Sequence, residues 1–316
     1  PTCIAVEAGQ ADLFLSGWLG VDLETKGLAV YRLLDAVVTF HDELPRPGQV
    51  IRYDIRIDHF FRQGDTWLFR FGFDGTVDGR PLLTMRDGCA GFFSAAALDA
   101  GKGIVARPLD SGPDPRALPA DWRPLAPLAA CALDEAQVDA LRAGDLVAAF
   151  GQAFAGLPVE QPLTLPGGAM RLVHRVLALE PTGGRFGLGF VRAEADIHPD
   201  DWFLTCHFVD DQVMPGTLMY ECCLHTLRVF LLRMGWVVDR RAVTTSPVPG
   251  VKSRLRCRGQ VLSHTQVVTY EVSIKELGYG PEPYAIVDAL MLADGKPIVE
   301  IGDMSLRLVG ATRETV

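Results

Sequence analysis

No Cys-x-x-Cys pair occurs in this chain of 316 residues, and its seven cysteines (Cys3, Cys89, Cys131, Cys206, Cys222, Cys223 and Cys257) are an odd number without common spacing. That argues against a disulfide framework and against zinc-ligand spacing, so no metal site is expected. Most of the thiols read as small core residues in a reducing, cytoplasmic setting. Positive charge is also scarce. Thirty Lys and Arg against 39 Asp and Glu leave a net charge of −9, the wrong sign for a nucleic-acid surface. No apolar run reaches the length of a membrane span. The longest candidate, around Val229–Val238, is interrupted by Arg228 and Arg233. No charged leader followed by an apolar stretch opens the chain. It starts at Pro1 rather than Met, as a fragment of a longer protein would.

What is present is a globular composition, 48% hydrophobic and 22% charged, at a length that accommodates two domains. The chain also repeats itself. Gln49–Ile57 (QVIRYDIRI) matches Gln266–Ile274 (QVVTYEVSI), and Asp78–Asp87 (DGRPLLTMRD) matches Asp294–Asp303 (DGKPIVEIGD). Gly17-Trp18 pairs with Gly235-Trp236 at nearly the same offset. Each unit reads as an apolar helix followed by strands of period two. The expected strands are Tyr31–Phe40, Val50–His59, Thr66–Phe73 and Pro81–Phe93 in the first unit. In the second they are Ser253–Val261, Thr265–Ile274, Pro283–Ala293 and Pro297–Leu308, opened by a hairpin of Met170–Glu180 and Arg185–Ile197. Asp78-Gly79 and Asp294-Gly295 are hairpin-turn signals. The first unit lacks the opening hairpin. Between the units, residues 97–166 carry Pro108, Pro113, Pro115, Pro119, Pro124 and Pro127 and read as a stiff connector with a short helix at Leu133–Leu141. The resulting division is 1–96, 97–166 and 167–316, and the expected class is α+β.

The densest chemistry lies in Asp201–Glu221. His207 sits in an apolar stretch that reads as extended, Met214-Pro215-Gly216 makes a turn, and an apolar helix follows with Glu221 on it. Histidine is a base near neutrality, and a carboxyl in an apolar pocket is an acid. A helix N-terminus after Pro215 offers free N–H groups, and Gly216 lets a ligand approach the backbone. Each residue has an ordinary reading too: His207 as a core histidine, Glu221 as a surface acid, His225 as its i,i+4 partner. Asp210 and Asp211 read as a solvated loop. Cys206, beside His207 in an extended stretch, would point away from it.

The run His207-Phe208-Val209-Asp210-Asp211-Gln212-Val213-Met214-Pro215-Gly216-Thr217-Leu218-Met219-Tyr220-Glu221 resembles the active-site segment of hot-dog-fold 3-hydroxyacyl-carrier-protein dehydratases. The tandem dehydratase regions of polyunsaturated fatty acid synthases and iterative polyketide synthases are the nearest in pattern. Pro1–Trp18, with Glu7 in the position of Glu221, resembles the companion hot dog of those regions. The resemblance implies a double hot dog, two long helices each wrapped by an antiparallel sheet and paired as an intrachain pseudo-dimer. It implies a base, His207, facing an acid from the other unit, Glu7, with Glu221 facing a histidine outside this chain. Pro215, Gly216, Thr217 and His225 would line the substrate. The substrate would be a 3-hydroxyacyl group on the phosphopantetheine of an acyl carrier protein, with no metal or soluble cofactor. The implied partners are acyl carrier protein domains and other domains of a multidomain synthase, and a homodimer is among the expected assemblies. Isomerisation of the new double bond, thioester hydrolysis on the same fold, and a non-catalytic docking module stay open as alternatives.

Overall fold

The computed structural model describes residues 1–105, 112–157, 159 and 161–316; Pro108 of the connector lies outside them. Twelve strands form one antiparallel sheet. The first half contributes β1 (Val30–Phe40), β2 (Ile51–Gln63), β3 (Thr66–Val77) and β4 (Arg80–Phe93). After the short β5 (Cys131–Leu133), the second half contributes β6 (Arg175–Glu180), β7 (Phe190–Asp196), β8 (Thr244–Ser246) and β9 (Lys252–Cys257). It ends in β10 (Val267–Gly278), β11 (Tyr284–Ala293) and β12 (Lys296–Val309). The two halves meet where β1 pairs with β9, Asp35 opposite Arg256 and Thr39 opposite Lys252. Outward from that seam the order is β1-β4-β3-β2 on one side and β9-β12-β11-β10 on the other, then β7-β6-β5 on the second side alone.

The two longer repeat blocks are reproduced in backbone detail. Asp78-Gly79 and Asp294-Gly295 all hold positive φ, 52°, 77°, 46° and 79°, the geometry of tight hairpin turns. Asp87 and Asp303, 216 positions apart, are both left-handed at φ 53° and 58°, beside register shifts in β3–β4 and β11–β12. The Gly-Trp match does not hold up. Gly235, at φ 87°, ends a helix: the Trp236 N–H bonds Leu231 O and the Gly235 N–H bonds Leu232 O, a left-handed helix stop. Gly17 lies inside a helix instead, and Trp18 is exposed where Trp236 is buried.

The helices are unequal. In the second half α8 (Gly216–Arg233) has 15 of its 18 residues buried, and it packs on β7, β10, β11 and β12. A helix apolar on all sides needs cover on all sides, and the curled sheet supplies it. This is the hot-dog-like arrangement. The first half departs from the expected long helix, having α1 (Thr2–Glu7), α2 (Asp12–Trp18) and α3 (Val21–Thr25). Gly9, Gly17 and Gly20 punctuate that stretch, and Phe14, Leu19 and Leu23 stay exposed. α1 nevertheless packs against α8. α4 (Ala95–Asp99) closes the first half. The connector is more than a spacer. α5 (Glu135–Ala143), capped by Asp134 and Gln137, and α6 (Leu146–Phe150) bury Val138, Leu141 and Ala149 in the second core.

Asp12 anchors α2 and is fully buried, with Oδ2 accepting from Tyr31 Oη at 3.1 Å and Oδ1 unpartnered among the described residues. Burial, only partly opposed by the Tyr31 hydroxyl, raises its carboxyl from 3.8 to about 7. A raised folded-state pKa means stability that is present at low pH and lost as pH rises through that value. Asp12→Asn should therefore gain stability relative to the parent as pH climbs from 4 to 8, read as a growing difference in urea midpoint. A constant difference would refute the buried acid. Gly189, at φ 138°, leaves no room for a side chain: a Cβ would lie 2.2 Å from Phe230 Cζ. Gly189→Ala should cost about 2–4 kcal/mol of unfolding free energy, and a midpoint within error of the parent would contradict the packing.

Candidate active site

His207 is not in an extended stretch. Trp202–Cys206 forms a short helix, α7, and His207 is its C-cap residue at φ −137°, ψ 83°. Asp201 at the N-cap was the helix signal, masked by the apolar, β-prone residues that follow. Cys206 is exposed, its Sγ 3.9 Å from Phe203 O. After His207 the chain folds back on itself. Phe208 N–H donates to Asp211 O at 2.7 Å, and Val213 N–H donates to His207 O at 2.9 Å. His207 Nδ1 lies 2.8 Å from Val213 O. A carbonyl only accepts, so Nδ1 carries the hydrogen and Nε2 is left as the base or the titrating site.

Nε2 faces Glu7 at the end of α1, 3.4 Å from its Oε1. Glu7 Oε2 is held by the Thr217 hydroxyl at 2.5 Å and by Gln10 Nε2 at 3.3 Å. The two residues come from opposite halves, and the pairing exists because α1 crosses the N-terminus of α8. Burial works against the imidazolium. The hydrogen bonds to Glu7 and to the Val213 carbonyl outweigh it, and His207 titrates above its ordinary 6.5.

The start of α8 completes the cleft. Pro215, at the N-cap, accepts from the Leu218 and Met219 N–H groups. The N–H groups of Gly216 and Thr217 precede any possible intrahelical partner. Gly216 is not demanded by packing, since a Cβ there would meet only Cys257 Sγ, at 3.7 Å. The space it leaves belongs to a small cleft of about 50 Å³ lined by Glu7, Gln10, Tyr31, His207, Gly216 and Cys257, among others. The Thr217 hydroxyl points at Glu7 and orients its carboxyl group.

Glu221 and His225 are elsewhere. Glu221 is 1% exposed, its Oε1 3.3 Å from His225 Nε2 but out of hydrogen-bond alignment, and its Oε2 accepts the Cys3 N–H at 3.2 Å. Burial would raise this carboxyl. His225, Arg228 and the Cys3 N–H outweigh it and hold Glu221 well below the usual carboxylate range, at about 2. The expectation of His225 in the substrate cleft is therefore corrected: it is a buried helix-face partner. Glu221 and Glu7 occupy matching places, each at the N-terminus of the other half's helix. Asp211 is also reassigned from solvated loop to bidentate partner of Arg32 on β1, with Nη2–Oδ1 at 2.7 Å. Arg32 Nε donates to Gln260 at 2.9 Å. That clamp ties the His207 loop to the first half. Gln10 could have been found as the i+3 neighbour of Glu7. Arg32 and Asp211, 179 positions apart, carried no local signal.

Among the described residues no three His, Cys, Asp or Glu side chains gather as a metal site, and no helix is long and apolar enough to cross a membrane. The chain is 36% identical over 296 residues, 91% of its length, to one of the subunits of the polyunsaturated fatty acid synthase of Thraustochytrium sp.; it spans 20% of that relative. Among solved structures it is similar to the dehydratase domain of RzxB from Pseudomonas fluorescens (9% identity, 94% of this chain and 84% of that one, TM-score 0.44). It is also similar to a tesB protein of Mycobacterium avium subs paratuberculosis (12%, 90% and 82%, TM-score 0.43). Structural similarity at that level says nothing of activity. The sequence match is more specific: residues 165–302, which contain His207, Gly216 and Glu221, match the model of the FabA-like domain.

Proposed function

We propose that the chain is a dehydratase that converts 3-hydroxyacyl thioesters, carried on the phosphopantetheine of an acyl carrier protein, to trans-2-enoyl thioesters during fatty acid chain building. The observation that carries this reading is His207 Nε2 at 3.4 Å from Glu7 Oε1, beside the open N-terminus of α8. The match to a synthase subunit supports the setting, a multidomain polyunsaturated fatty acid synthase. In this reading the two sheet halves are two hot dogs paired as an intrachain pseudo-dimer, with units at 1–96 and 167–316 and the connector between them.

His207 Nε2 takes the proton from C2 of the substrate. The electron pair moves into the C2–C3 bond, and the C3 hydroxyl departs with the proton of Glu7 as water. The Gly216 N–H, at the positive end of α8, meets the negative charge that builds on the thioester oxygen. The enzyme is left with imidazolium and carboxylate, and at 3.4 Å the proton returns directly from Nε2 to Glu7. Acid, base and donor are all groups of the chain itself, so the reading calls for no metal or soluble cofactor. Glu221 takes no part in this step. Isomerisation of the product double bond would need a second proton transfer by the same His207.

Incubation with a 3-hydroxyacyl-pantetheine thioester, followed by mass, should show loss of water. His207→Ala and Glu7→Gln should each slow it on the order of 10²–10⁴-fold, and Glu221→Gln should leave the chemistry near parent level in protein that still folds. A free acid as product would favour a hydrolase. Loss only in the Glu221 variant would overturn the assignment of the acid. The raised His207 pKa sets the alkaline side of the pH profile. The working pair holds one proton between Nε2 and Glu7, so kcat/KM should fall with a midpoint above 6.5 as that proton is lost. In Glu7→Gln the ring titration, followed by NMR, should move to lower pH, and an unmoved midpoint would mean that the carboxylate is not what raises it.

A further inference from the structure

The far end of α8 carries a second feature that dehydration does not use. Arg233, at the end of the helix, lies seventeen positions beyond Gly216, about 25 Å at ~1.5 Å per residue. There a cleft of about 300 Å³ opens, lined by Arg228, Trp236, Arg240 and Thr245 among leucines such as Leu232 and Leu308. Among the described residues no acidic side chain lines it. Its charged and aromatic polar groups can only donate, and its threonines supply hydroxyls.

Two of those donors are left over. Arg228 Nη2 donates to Thr245 Oγ1 at 2.9 Å, but its Nε is buried without a partner among the described residues. Trp236 is 1% exposed, wedged beside Trp122 and Tyr279, and its indole N–H is equally unpartnered. Buried donors without acceptors are rare, and a buried guanidinium without a carboxylate is costly. Glu221, two turns back on the same helix, acts on Arg228 only through space, and its carboxylate oxygens face His225 and the Cys3 N–H instead. The negative end of the helix is muted here, because its last carbonyls already accept the Met234, Gly235 and Trp236 N–H groups. Arg240 stands exposed at the rim.

We propose that this cleft binds a medium-chain carboxylate, its head on Arg228 and Arg240 and its tail along the leucines. A guanidinium fork matches a carboxylate, and a mainly apolar cleft with a few converging polar groups is the usual form of a small-molecule site. The site is separate from the His207–Glu7 cleft, and neither arginine lines that cleft.

The test is calorimetric titration of the full chain with octanoate, with butyrate and inorganic phosphate as comparison ligands. Octanoate should bind with a Kd below ~1 mM, and butyrate and phosphate at least about tenfold more weakly, since one has too short a tail and the other has none. Arg228→Met, similar in length and apolar, should abolish octanoate binding in protein that still folds, since no carboxylate touches the guanidinium directly. Should Arg228→Met fail to fold, Arg240→Gln on the exposed rim decides: it should weaken octanoate by at least about threefold. His207→Ala should bind octanoate as the parent does. Absence of octanoate binding at ~10 mM, phosphate binding as tight as octanoate, or undiminished binding in the folded arginine variants would each overturn the proposal.

Discussion

Everything in this molecule hangs on the antiparallel pairing of β1 with β9. Five residue pairs, Asp35–Arg256 through Thr39–Lys252, join two sheets that would otherwise each present a raw edge. Arg258 reinforces the join by donating to Leu34 O and to Asp35 Oδ1, both at 2.8 Å. Once the seam is made, the helices inside the two curls have no choice of neighbour. α1 lies against the start of α8, and Glu7 is delivered to Thr217 and His207. The Arg32–Asp211 clamp crosses the same boundary from the sheet side, so His207 and Glu7 are fixed from two directions.

The two glutamates show how environment assigns roles to like residues. Both sit at the N-terminus of the opposite helix. Glu221 is sealed, and a histidine of its own helix, a nearby arginine and a backbone N–H keep it ionised. Glu7 is partly open, held by a hydroxyl and an amide, and faces a histidine whose other nitrogen is fixed by a backbone carbonyl. A carboxylate locked at about 2 has no proton to give near neutrality.

The sheet was legible in the sequence because its signals are local. Alternation marked the strands, and the paired Asp-Gly turns and the repeated blocks fixed their order in both halves. The cleft was legible in part. His207, Glu7 and Gly216 stood out by motif and resemblance, and the facing of His207 and Glu7 across the two units was what the resemblance implied. What failed were features that depend on tertiary cover. The α7 segment, Trp-Phe-Leu-Thr-Cys, has strand-like residues and becomes helical only in context. The first-half helix breaks into three because its glycines are not compensated by burial on all sides. Thr217, Tyr31, Arg32 and Asp211 act across separations of up to about 210 residues, where no periodicity reaches.

The hydroxyl of Thr217 on Glu7 has a consequence for stoichiometry. It bridges helices from opposite halves of a single chain, so the groups that meet in the cleft are present one to one by covalent necessity. A pair split between separate chains comes apart on dilution, and each partner is then solvated alone. Here the sheet and the connector keep the local concentration of one half around the other at a level no dilution alters. The cleft is also free of the identity constraint of a symmetric dimer. The surroundings of Glu7 and Glu221 need not match, and one end of the molecule is sealed while the other opens to a cleft.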